Sequence, residues 1–133
     1  MNLEAIEPLS KLGIELVTAQ PERVVFHVPL AGNRNDKGTL FAGSQYSGLV
    51  LAGWYLASQW ANAQGLGDKV AVKDAQVSYP KAAYSNVTIT AEFLAAPDQR
   101  PSGHWRANIR VVAVDDDANT VSELTGDYRI LTQ

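Results

Sequence analysis

The chain has 133 residues, 46% of them hydrophobic and 19% charged, with a net charge of -3 and a pI near 5.2. That length suits one domain over residues 1–133 with room for a core around a single helix, and the mild acidity gives no reason to expect a nucleic-acid partner or an anionic membrane surface. With no cysteine there is no disulfide framework, no thiolate nucleophile and no cysteine-ligated metal.

The opening MNLEAIEPLSKLG mixes acidic residues with Leu3, Ile6, Leu9 and Leu12 at helical spacing. It has no long apolar segment, so it does not read as a secretory signal, and a cytoplasmic location is the expectation. Pro8 interrupts the pattern, which predicts a short helix before it and a second turn after it, stopped by Gly13. Residues 14–18 and 23–28 are rich in β-branched side chains, and residues 19–22 read as the hairpin connection between them. In the second strand Val24, Phe26, Val28 and Leu30 share one face, opposite Arg23, Val25, His27 and Pro29. His27, a lone histidine on the less buried face, reads as structural.

Residues 31–38, AGNRNDKG, form a loop of turn formers and charges. The stretch 39–67, TLFAGSQYSGLVLAGWYLASQWANAQGLG, then carries no charged side chain, and its middle is apolar or small at every position. Its polar residues gather at the two ends (Ser44, Gln45 and Ser47; Ser58, Gln59, Asn62 and Gln64). A helix apolar on nearly all sides must be buried on nearly all sides. The apolar run is too short for a bilayer span, which needs roughly 20 such residues, so it predicts a core helix over about 42–62. Gly65 and Gly67 end it.

The remainder is β in character. Residues 70–79 form one strand, with Pro80 near its end. Residues 87–94 alternate Val87, Ile89, Ala91 and Phe93 against Thr88, Thr90 and Glu92. A loop, 95–103, follows. Trp105, Ala107, Ile109, Val111 and Ala113 then oppose His104, Arg106, Asn108 and Arg110. Residues 115–119 read as a turn, and a last strand sets Leu124, Gly126, Tyr128 and Ile130 against Glu123, Thr125, Asp127 and Arg129. Strands with one apolar and one polar face are antiparallel strands covering something on one side only. The expected architecture is α+β, with one antiparallel β-sheet wrapped around a long central helix. One sheet leaves the far side of Leu49, Trp54, Leu56 and Trp60 open, and a second copy of the chain is the simplest cover.

Common catalytic signatures are missing: no phosphate-binding glycine loop, no Gly-x-Ser-x-Gly elbow, and two histidines too far apart for a zinc site. Asp115, Asp116 and Asp117 do not alternate as calcium ligands do, and read as a solvated turn. No metal is expected.

Asn35-x-x-Gly38-Thr39-x-Phe41-x-Gly43-Ser44, running into the apolar helix, resembles the loop-to-helix signature of hotdog-fold thioesterases. The fuller string PLAGNRNDKGTLFAGSQYSGLVLAGW, with VKDAQVSY beyond it, is similar to the thioesterase domain named after the YiiD C-terminal region. The resemblance implies the hotdog fold and a homodimer, or dimer of dimers, whose sheets join edge to edge at residues 70–79. It also implies acyl thioesters of coenzyme A or acyl-carrier protein as substrates. Coenzyme A or phosphopantetheine would arrive as part of the substrate, and no separate cofactor is implied. Backbone N–H groups at Ala42, Gly43 and Ser44 would point at the thioester carbonyl, where negative charge develops. Gly38, Thr39 and Phe41 complete the implied substrate-binding stretch.

The sequence also departs from that pattern. Phe41-Ala42-Gly43 stands where many relatives have His-Gly-Gly, and the helix lacks the carboxylate many carry two turns in. Other branches place an Asp or Asn three residues before the loop glycine, which is Asn35 here. Asn35 can orient a water or the carbonyl but cannot take a proton. The candidate bases are Asp36 and Asp74, the latter from either subunit. Asn35 and Asp36 equally suit a tight turn, Asp74 beside Lys73 suits an exposed strand, and Ser44 reads as a helix N-cap rather than a nucleophile. Two functions stay open: hydrolysis of an acyl thioester, or a non-catalytic acyl-thioester-binding or regulatory role.

Overall fold

A computed structural model of the protein describes residues 1–132. A single 3-10 turn, Leu3–Ala5, precedes helix α1, Pro8–Leu12, with proline in its first turn. Gly13 stops α1 in the left-handed region at φ 69°, and the Ile14 N–H returns to the Leu9 carbonyl. Strands β1 (Glu15–Gln20) and β2 (Arg23–Val28) form a hairpin whose turn is Pro21 and Glu22 alone. Helix α2 spans Ala42–Ala63, and β3 (Val70–Ser78), β4 (Val87–Phe93), β6 (Trp105–Val114) and β7 (Thr120–Ile130) follow. A two-residue strand, β5 (Asp98–Gln99), lies in the expected 95–103 loop and pairs with β6. Its pairing depends on contacts distant in sequence, and no local alternation announces it.

All pairings are antiparallel, in the order β1-β2-β4-β6-β7-β3, so β1 and β3 are the edges. One face of this sheet curves around α2. Val24, Phe26 and Val28 of β2, Ile89 and Ala91 of β4, Ile109 and Val111 of β6, and Leu124, Tyr128 and Ile130 of β7 are buried with Leu49, Leu56 and Ala57 of α2. This is the hotdog arrangement.

Small residues let the helix lie close to the sheet. A Cβ on Gly48 would come within 2.6 Å of an Ile89 methyl and 2.9 Å of a Val28 methyl. The Tyr128 ring fills the space that side chains at Gly53 and Gly126 would need. Its hydroxyl donates to the Val50 carbonyl at 2.8 Å, so one fully buried aromatic spans strand and helix. Burial holds the Tyr128 hydroxyl well above the usual phenol range, so it remains a donor. At the other end Gly65, at φ 72°, allows the Leu66 N–H to reach the Ala61 carbonyl, a Schellman stop.

The expected gap in the helix's cover is real and includes Trp54, but Leu49 and Leu56 are not part of it. Leu49 and Leu56 are fully buried by the chain's own sheet, and Trp60 packs edge-on against Phe93 and beside Trp105. Among the half-buried residues of α2, Tyr46, Val50 and Trp54 fall on one stripe. Spacing identified α2 as apolar all round but could not say which stripe the sheet would leave open. β3 shows the same gap. A bulge between Val72 and Asp74 puts Val72, Ala75 and Val77 on the helix side, and Val72 and Val77 are 42% and 36% exposed there.

Candidate active site

The loop before α2 is fixed at both ends by Asn33. Its buried side chain donates to the carbonyls of Leu12 (2.7 Å) and Pro29 (2.9 Å), while its own carbonyl accepts the Phe41 N–H at 2.8 Å. Between these ties the chain makes a tight turn. The Asn35 N–H donates to the Thr39 carbonyl at 2.8 Å and the Gly38 N–H to the Asn35 carbonyl at 3.1 Å. Gly38 sits at φ 79°, where a side chain would strain the backbone.

Asn35 is the centre of this turn. Its Oδ1 accepts from the N–H groups of Lys37 (2.9 Å) and Thr39 (3.1 Å), and its Nδ2 donates to Thr39 Oγ1 at 2.8 Å. Both oxygen lone pairs are thus used inside the loop, and one N–H remains to meet a water or a carbonyl. Asp36 points outward with its side chain 82% exposed, 3.4 Å from Lys37 Nζ. An ion pair this exposed adds little to stability.

The start of α2 is differently equipped. Phe41 is the N-cap, with extended backbone at φ -58°, ψ 133° and no side-chain cap bond. The Gln45 N–H closes the first turn onto the Phe41 carbonyl at 3.1 Å. The N–H groups of Ala42, Gly43 and Ser44 have no acceptor among the described residues. Ser44 is therefore not the N-cap. It lies within the first turn, and the loop held by Asn33 sets the helix start at Ala42 without a capping side chain. Ala42 and Gly43 are exposed and Ser44 is buried. The Phe41 ring lies over Gly43, where a Cβ would come within 2.5 Å of it.

Two hydroxyls meet the carbonyls of the same turn. Tyr79 Oη donates to the Ala42 carbonyl at 3.0 Å, and Ser47 Oγ donates to the Gly43 carbonyl at 3.0 Å. Partial burial, then the nearby Tyr46, keep the Tyr79 hydroxyl above its ordinary pKa. Gln45, 3% exposed, donates from Nε2 to the Leu40 carbonyl at 3.1 Å, and its Oε1 is left without a partner.

Asp74 is elsewhere. It pairs in register with Asp127 on the sheet face turned away from α2 and lines a shallow depression with Gln76, Asn108 and Thr125. Asn35, Asp36 and the Ala42–Ser44 donors belong to one loop-helix junction, and Asp74 does not share it within the chain. Among the described residues no group of three or more His, Asp or Glu side chains is arranged to hold a metal ion, and no helix is long and apolar enough to cross a membrane.

The sequence matches the family described as "Putative thioesterase (yiiD_Cterm)" over residues 3–132. The chain belongs to this thioesterase family. Solved structures of similar fold include a "putative thioesterase" from Shewanella oneidensis, 19% identical, with a TM-score of 0.83 over 96% of this chain and 90% of that one. Thioesterase HI1161 from Haemophilus influenzae is 14% identical, with a TM-score of 0.79 over 99% and 92% of the two chains. The PaaI protein of the E. coli phenylacetic acid degradation operon is 16% identical, with a TM-score of 0.77 over 98% and 91%. At these identities the likeness is one of fold.

Within this thioesterase family member, Tyr79, Ser47 and Gln45 at the helix start escaped the sequence reading. Ser47 was within reach of it, being four residues after Gly43 on one helix face. Tyr79 was not, because its partner Ala42 is distant along the chain and only the fold brings β3 back to the helix start.

Proposed function

We propose that the protein hydrolyses acyl thioesters of coenzyme A or acyl-carrier protein at the N-terminus of α2. The observation that carries this reading is the set of three unspent N–H groups at Ala42, Gly43 and Ser44, in a chain of the thioesterase family. Water attacks the thioester carbonyl carbon, and the carbonyl oxygen takes the π electron pair. The N–H groups and the positive end of α2 stabilise that charge. Collapse of the tetrahedral intermediate breaks the C–S bond. The sulfur leaves with the proton taken from water, giving a thiol and a carboxylic acid that loses its remaining proton to solvent.

The remaining N–H of Asn35 orients the water, and Asp36, its neighbour in the loop, takes the proton after its exposed side chain turns in from Lys37. Asp74 is the less suited base. Joining two sheets edge to edge at β3 continues both faces, so the partner's Asp74 also stays on the face away from the helices. Gly38, Thr39 and Phe41 border the substrate.

Exposed Val72, Val77 and Tyr79 beside half-buried Tyr46, Val50 and Trp54 support a homodimer, or a dimer of dimers, joined at the free β3 edge. Incubation with a panel of acyl-CoA esters, with free thiol as the readout, tests the activity. The lack of any carboxylate in α2 favours a second reading, non-catalytic binding of acyl thioesters. Saturable binding of the same esters without thiol release would establish it in place of hydrolysis.

A further inference from the structure

The two hydroxyl bonds at the start of α2 have a feature that helix capping does not require. Each falls on the carbonyl of a peptide unit whose N–H is one of the unspent donors. Tyr79 Oη donates to the Ala42 carbonyl, at the other end of the Gly43 N–H peptide. Ser47 Oγ donates to the Gly43 carbonyl, at the other end of the Ser44 N–H peptide. A hydrogen bond accepted by an amide carbonyl draws electron density toward oxygen and makes the N–H of that amide a stronger donor. Gln45, buried in the same turn, keeps its Nε2 on the Leu40 carbonyl and its Oε1 without a protein partner.

We propose that Tyr79 and Ser47 are positioning residues that polarise the Ala42–Gly43 and Gly43–Ser44 peptides, so that the Gly43 and Ser44 N–H groups become the strongest donors to the developing oxyanion. Neither side chain touches the substrate in this role. Tyr79 follows β3, so the same bond ties the helix start to the free sheet edge. The inference rests on hydrolysis at the helix start, and its test has one readout that does not depend on it.

The experiment compares the native protein with Tyr79→Phe, Ser47→Ala and the double variant in the full chain. With a hydrogen-bond cooperativity of about 10–30% per bond acting on an oxyanion donor, each single change should lower kcat about two- to eightfold. KM should stay nearly constant, and the double variant should show roughly the product of the two effects. A serine that bonds back to the carbonyl four residues earlier slightly destabilises its helix, and alanine is the better helix former. Ser47→Ala should therefore hold or raise the melting temperature while slowing turnover, which a purely structural serine would not do.

Backbone amide NMR supplies the independent readout. Tyr79→Phe should shift the Gly43 amide proton upfield more than that of Ser44, and Ser47→Ala should do the reverse. Unchanged kcat in both folded variants, or amide shifts without this crossed pattern, would overturn the inference. If the native protein hydrolyses no thioester, the proposed function fails, and the crossed shifts alone still decide whether the hydroxyls polarise these peptides.

Discussion

Gly53→Ala puts two physical rules in direct opposition. Gly53 lies inside α2 with ordinary helical backbone, and in an exposed helix alanine would stabilise that position by about 1 kcal/mol. Here the new methyl would fall within 2.6 Å of Tyr128 Cζ and 2.7 Å of Cε2, far inside van der Waals contact. The ring has no room to retreat. Tyr128 is fully buried, its hydroxyl is held at 2.8 Å by the Val50 carbonyl, and its ring also lies against Gly126. Overpacking of a well-filled core costs about 1–3 kcal/mol, and at a site this pinned the upper end applies. Set against the propensity gain, the net destabilisation should be about 1–2 kcal/mol. For a chain of this length that lowers the melting temperature by roughly 3–8 °C. Urea denaturation followed by tryptophan fluorescence measures the change in stability, with an unchanged slope confirming that the fold persists. A Gly53→Ala protein as stable as the native one, or more so, would refute the claim that the Tyr128 ring fills the space a side chain at Gly53 would need.

Asp36→Asn and Asp74→Asn are isosteric changes that remove only the ability to accept a proton. Thioester turnover should fall by at least tenfold for Asp36→Asn and stay native for Asp74→Asn, the reverse order implicating Asp74 instead. Proline at Val77 should disrupt the β3 edge and lower the dimer fraction in light scattering, whereas proline at Asp116, the second residue of the 115–118 turn, loses only the exposed N–H bond to Ser85 Oγ and should leave the dimer fraction unchanged. Equal effects would argue against assembly at β3. The Arg129 guanidinium, at 2.9 and 3.1 Å, holds the Asp127 carboxyl below the ordinary carboxylate range. Asp127 therefore contributes stability that is present above the unfolded pKa of about 3.9 and lost as pH falls through the lower folded value. Melting temperature against pH should fall less steeply below pH 4 in Asp127→Asn than in the native protein.

Much of the fold was legible because burial leaves periodic traces. The uncharged run around Gly48 and Leu49 announced a core helix, and the alternation of Val87, Ile89 and Ala91 or Trp105, Ala107 and Ile109 announced strands covering it. The pairing order, with β3 returning beside β7 instead of next to β4, left no local trace. It nevertheless decides that Asp74 faces away from the helix and that Tyr79 reaches Ala42. The loop signature located the junction, and the resemblance supplied the meaning of its bare N–H groups. What spacing could not show is how the donors are used. Asn35 suited a tight turn and a substrate contact equally, and only the structure shows its oxygen occupied by Lys37 and Thr39. Ser44 looked like a cap, but Asn33 and Phe41 start the helix through the backbone.

The most direct test of catalysis at the helix start is Ala42→Pro. Phe41 already has the extended backbone that a residue before proline prefers, and Ala42 is the first helical residue, where proline fits best. The substitution replaces one donor N–H by a ring carbon while leaving the helix in place, so the melting temperature should hold or rise slightly. The measurement is kcat for acyl-CoA hydrolysis by the native and Ala42→Pro proteins at matched folding and dimer content. Loss of one preorganised donor predicts a fall on the order of 100-fold. Native-like turnover in Ala42→Pro would contradict catalysis at the N-terminus of α2.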